Sequence, residues 1–130
     1  MDRSETFENL KCWQLAYELK KSLKREVVSK FPSTEKYELR SQVVRAARSA
    51  TANIAEGWGR FHYLDCNKFY YNSRGSISEI LDHVIEARDE GYISEEVYLK
   101  HRLMIIESLK VLNGFIFYLK REHINNLRKT

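Results

Sequence analysis

The chain has 130 residues, of which 43% are apolar and 12% aromatic, enough for one globular unit with a buried core. Its apolar runs are short and broken by charge, and Met1-Asp-Arg-Ser-Glu5 carries no hydrophobic signal region, which argues against a membrane span or a secretory leader and makes the cytoplasm the expected compartment. The net charge of +4 is unevenly spread: residues 61–90 are acidic on balance and the rest is basic, a distribution that favours anionic partners. Cys12 and Cys66 are too few and too isolated for a disulfide framework or a zinc site.

With one proline, five glycines and no alternating runs bounded by turn pairs, the chain reads as all-α. A first helix is expected over about 9–29, with Trp13, Ala16, Leu19, Leu23 and Val27 inward, stopping before Phe31-Pro32 because proline disfavours helix in its predecessor. Ser33 or Thr34 should cap a second helix over about 34–58. Leu39, Val43, Ala46, Ala50 and Ile54 form its apolar face, and Gly57-Trp-Gly59 offers left-handed positions to end it. A third helix, about 64–90, has Phe69, Ser73, Ser76, Ile77, Ile80, Val84 and Ala87 as its stripe and Gly91 as its stop. Ser94 caps a fourth over about 94–125, whose inner stripe is Val97, Met104, Ile105, Ser108, Leu112, Phe115, Ile116 and Leu119. Leu103, Ile106 and Phe117 project to its other side, and a second apolar face on a small domain points to self-association. Four long helices on short connections describe a single domain, 1–130, folded as an antiparallel up-down-up-down four-helix bundle.

Bundles often hold paired metals, but His62, His83, His101 and His123 are not paired at i and i+4, and none follows a glutamate by three residues. No nucleophile elbow or phosphate-cradling glycine loop is present either, so no cofactor, no metal and no enzymatic activity are expected. Glu56 with Glu79 would be paired carboxylates, but nearby arginines lower a carboxylate's pKa and make it a poor base. The structural reading is an internal ionic seam in which Arg45, Asn53, Glu56 and Arg60 of the second helix meet Ser76 and Glu79 of the third. On that reading, losing Glu56 from a buried pair would cost about 3–5 kcal/mol.

The order Phe7-x-x-Leu10-x-x-Trp13-x-x-Ala16, Phe31-Pro32-x-x-Glu35-x-Tyr37-x-Leu39-x-x-Gln42, Arg45-Ala-Ala, Asn53-Ile-Ala-Glu-Gly57, Gly59-Arg60 and Gly75-Ser76-x-x-Glu79 resembles the four-helix-bundle proteins encoded within intervening sequences of bacterial 23S rRNA genes. Thr51-Ala52 and Trp58 depart from the residues common at those places. The resemblance implies a ring-like homopentamer without enzymatic activity. Similar proteins serve as accessory subunits of diversity-generating retroelements, binding a reverse transcriptase and nucleic acid.

The function expected is therefore association with RNA or another nucleic acid through a basic surface made of Lys20, Lys21, Lys24, Arg25, Arg40, Arg48, Lys120, Arg121, Arg128 and Lys129, repeated around a homo-oligomer. The alternative is a protein-interaction scaffold that recruits a partner such as a reverse transcriptase.

Overall fold

A computed structural model describes residues 5–129. The first four residues of the N-terminal stretch read above, and Thr130, lie outside the described residues.

Thr6 opens the chain with a capping box: its hydroxyl accepts from the Glu8 N–H, and the Asn9 side chain accepts from the Thr6 N–H. Helix α1 follows over Lys11–Ser22. Instead of running on as α-helix, the chain widens into a π turn at Leu23–Val27 and tightens into a 3-10 turn at Val28–Lys30. The stop before Phe31-Pro32 falls where the proline puts it, with Phe31 extended at φ −73°, ψ 144°.

Helix α2 spans Leu39–Trp58, one turn later than the cap at Ser33 or Thr34 predicts. The delay has a local cause. Ser33–Glu35 forms a separate 3-10 turn, and the Glu35 carboxylate accepts from the Leu39 N–H at 3.3 Å and from the Tyr92 hydroxyl at 2.7 Å. Glu35 thus serves the orphan donor at the start of α2 while tying the connection to the turn before the last helix. That hydrogen bond pushes the Tyr92 phenol up to about 12.

Helix α3 spans Tyr63–Asp89 and α4 spans Glu95–Lys129. Gly91, at φ +76°, ends α3 as expected, and the Ser94 hydroxyl accepts from the Val97 N–H at 3.1 Å to cap α4. Gly57 and Gly59 do not take left-handed conformations. Gly57 is needed for proximity instead: a Cβ there would lie 2.7 Å from Cε1 of the buried Tyr70 ring.

The described residues form four long helices and no strand. Helix α2 packs on α3, α3 on α4, and α1 closes the bundle against α2 and α4. Leu19, Leu23, Ile54, Ile77, Ile80, Ile105 and Leu112 are fully buried at the centre. Tyr70, Tyr98 and His101 join the core although the apolar pattern did not single them out. Helix α4 has 35 residues against 20 in α2, so it is about 52 Å long against about 30 Å, and beyond Leu119 every residue to Lys129 is exposed except His123. That histidine stacks on Tyr63 with ring centres 4.3 Å apart. No helix among the described residues is long and apolar enough to cross a membrane.

Candidate nucleic-acid interface

Helices α1 and α2 part at one side of the bundle and leave a groove of about 720 Å³. Helical spacing brings Lys20 and Lys21 of α1 and Lys24 of the π turn to its edge, and Arg40, Arg45 and Arg48 of α2 to the facing edge. Lys36 and Tyr37 stand at one end, where the connection enters α2. Leu23, Val28, Val43, Val44 and Ala47 form the floor. All seven charged side chains lining the groove are cationic.

Only part of this charge is neutralised nearby. Lys21 pairs with Glu18 at 3.1 Å, and Lys20 donates to the Thr51 hydroxyl at 3.1 Å. Lys24, Lys36, Arg40, Arg45 and Arg48 have no carboxylate within 4.0 Å among the described residues. Unpaired cations facing one another across a low-dielectric cleft focus a positive potential and favour an anion that neutralises several of them at once.

Five of the ten basic residues named from sequence meet in this groove: Lys20, Lys21, Lys24, Arg40 and Arg48. Arg25 is exposed on the π turn but does not line it, and Lys120, Arg121, Arg128 and Lys129 lie exposed on the distal part of α4. Lys36 and Tyr37 were missed. A basic residue beside an aromatic in a connection was a visible signal, but the pair was absorbed into the predicted second helix.

The expected ionic seam is corrected. Arg45 belongs to the groove, Glu56 and Arg60 form an exposed pair along α2 at 3.0 Å, and Glu79 pairs with His83 along α3 at 3.1 Å. What joins α2 to α3 is small and mostly neutral. The Ser49 and Ser76 hydroxyls meet at 2.8 Å and Ser73 donates to the Ala50 carbonyl at 2.7 Å, while Asn53 turns back along α2 to donate to the Ser49 carbonyl at 2.9 Å. Helices held this close leave no space between them for long charged side chains, which extend outward and keep their hydration. Leu103, Ile106 and Phe117 are exposed, 72%, 41% and 70% respectively, so they take no part in the core of the protomer.

One buried polar cluster was not foreseen. His101 Nδ1 donates to the Val97 carbonyl at 2.7 Å, and its Nε2 lies 2.8 Å from the Ser22 hydroxyl, which is itself 2.9 Å from Glu26 Oε2. Lys100 completes the chain with a 2.5 Å bond to Glu26. Hydrogen bonds from Lys100 and Ser22 lower the Glu26 pKa. Serine, histidine and glutamate in contact are the residue types of a hydrolytic relay, but Ser22 and His101 are sealed in the core and the glutamate meets the serine instead of the imidazole. The cluster fastens α1 to α4. The two thiols are also buried, and burial pushes Cys12 up to about 11 and raises Cys66. Among the described residues no three His, Cys, Asp or Glu side chains converge as a metal-ligand set.

Among the described residues, four long helices without a strand form an all-α bundle that carries a cleft walled by cations. The chain matches the model of the 23S rRNA-intervening sequence proteins over residues 8–114, and it belongs to that family. The match contains every groove residue and stops before Phe117 and the basic end of α4. No curated protein matches the chain.

Proposed function

We propose that this protein is a non-enzymatic RNA-associated protein that holds the phosphate backbone in the groove between α1 and α2. The observation that carries the reading is the lining itself, seven cations and no acid over an apolar floor. The family's connection with intervening sequences of 23S rRNA makes RNA the favoured polyanion. Each phosphate neutralised releases counterions, so affinity for an unpaired strand falls with salt at about −0.7 per contact on a double-logarithmic plot. Filter binding at two salt concentrations tests this; RNA that is never retained, or retained independently of salt, overturns it.

The chain acts as an oligomer in this proposal, a cytoplasmic up-down-up-down bundle whose copies meet through the outer face of α4. Leu99, Leu103, Ile106 and Phe117 supply a line of exposed apolar side chains at helical spacing along that face. A ring of five would repeat the groove around an axis and convert modest phosphate attraction into avidity. Light scattering checks the assembly, and a monomer at micromolar concentration removes it. The same exposed line favours a second reading, a scaffold that recruits a protein such as a reverse transcriptase. Pulldown followed by nuclease treatment separates the two, because a nuclease-resistant protein partner supports the scaffold and a nuclease-sensitive one the direct RNA contact.

A further inference from the structure

We infer that the groove is built for an unpaired stretch of RNA, with bases against its apolar floor and phosphates along its cationic walls, and that it discriminates against duplex. This rests on the groove being the RNA surface, and it names which form of RNA enters. The chemistry of the cleft has two parts. The walls suit any polyanion, but at the floor Val44 is part-exposed over the buried Leu23, Val28, Val43 and Ala47, an apolar strip that favours a ligand with an apolar face. A duplex keeps its base faces stacked inside and presents sugars and phosphates, so it would touch the rims and leave the floor unused. An unpaired segment offers both a charged edge and flat π surfaces.

The dimensions agree. A groove of about 720 Å³ is in the size range of sites for single small ligands, room for a short piece of strand. Tyr37 adds a stacking platform at its mouth. The ring is 81% exposed, so no core contact explains its position, and Lys36 stands 5.4 Å from its centre, which places a cation beside any base laid on it. Stacking on an aromatic is tolerant of sequence, because every base has a π face. The groove should therefore select unpaired over paired RNA while showing little preference among bases.

The test is fluorescence anisotropy on the full chain with a labelled oligouridylate, about 12 nucleotides long to cover a typical site, and an RNA duplex of the same length. The unpaired strand is expected to bind at least about tenfold more tightly. Tyr37→Ala should weaken it by about 5- to 150-fold and leave the duplex unchanged, whereas Tyr37→Phe keeps the affinity. Tyr37 is exposed, so a matching thermal melt shows that the variant is folded. Arg40→Ala should weaken both forms and make the salt slope shallower. Duplex bound as tightly as the single strand, or Tyr37→Ala without effect, overturns the inference and leaves the groove as an RNA site. If neither form binds in a salt-dependent way, the underlying RNA reading fails first.

Discussion

Between Lys20 and Glu26, the end of α1 and the π turn after it send polar side chains in two directions, and the two flanks follow opposite rules. Toward α4, Ser22 and Glu26 meet His101 and Lys100 in a connected hydrogen-bonded cluster, and the ring is fully buried. Toward α2, Lys20, Lys21 and Lys24 face Arg40, Arg45 and Arg48, and like charge faces like. The first arrangement fixes how two helices sit together, since a satisfied polar contact has few alternative partners. The second works against the compact state through self-repulsion and gains its reward only when an anion arrives. On the proposed function, the contrast separates what the bundle does for itself from what it holds ready for a ligand.

Breaking the sealed flank should give the largest effect. His101→Ala leaves a cavity in the core and removes the ring's contacts with Val97 and Ser22, a loss of about 3 kcal/mol in urea unfolding, with the salt dependence of RNA binding unchanged in the folded fraction. Gly57→Ala probes another closed contact. Helix propensity gains about 1 kcal/mol but the methyl meets the Tyr70 ring, so a net loss of about 1–2 kcal/mol is expected from thermal melts. The pH dependence follows from Glu26. Its pKa is lowered on folding, so its contribution is present above the unfolded value of 4.5 and disappears as pH falls through the folded value; Glu26→Gln should flatten that acid limb in a pH series of melts. Glu56→Ala removes only an exposed pair and should cost at most about 1 kcal/mol, well short of the loss a buried seam demanded. The open flank gives the smallest stability change of all. Lys24→Ala with Arg40→Ala should move the melt by no more than about 0.5 kcal/mol while making the salt slope shallower by about 1.4, and a large loss of stability there would erase the contrast between the flanks.

The helices were legible because their apolar residues recur at the helical period and their ends carry strong signals: Phe31-Pro32, Gly91 and Ser94 all act where the sequence placed them. The inner face of α2 was legible for the same reason, and Leu39, Val43, Ala46, Ala50 and Ile54 are all buried. Less visible was anything decided by a distant residue. The late start of α2 depends on Glu35 reaching Tyr92, and the burial of His101 depends on Ser22, 79 residues away in the chain. The π turn at Leu23–Val27 left no mark in the apolar spacing. For the candidate site, periodicity identified cations on single helices but not which helices would face each other. The pattern marks Lys20, Lys21, Lys24, Arg40 and Arg48 as basic but does not reveal that they share a groove, it sets Arg45 on the wrong side of its helix, and it groups with them the end of α4, which lies elsewhere.

Gly57 never meets the groove, yet it helps set its width. Because the absent side chain lets α2 rest against Tyr70, and because α2 is one continuous rod from Leu39 to Trp58, the wall that carries Arg40, Arg45 and Arg48 is positioned partly from behind. A bulkier residue at 57 would meet the Tyr70 ring and, if α2 moved as a rod to relieve the clash, change the gap between facing cations. Selection on the gauge of the cleft can thus act through a position that no RNA would touch.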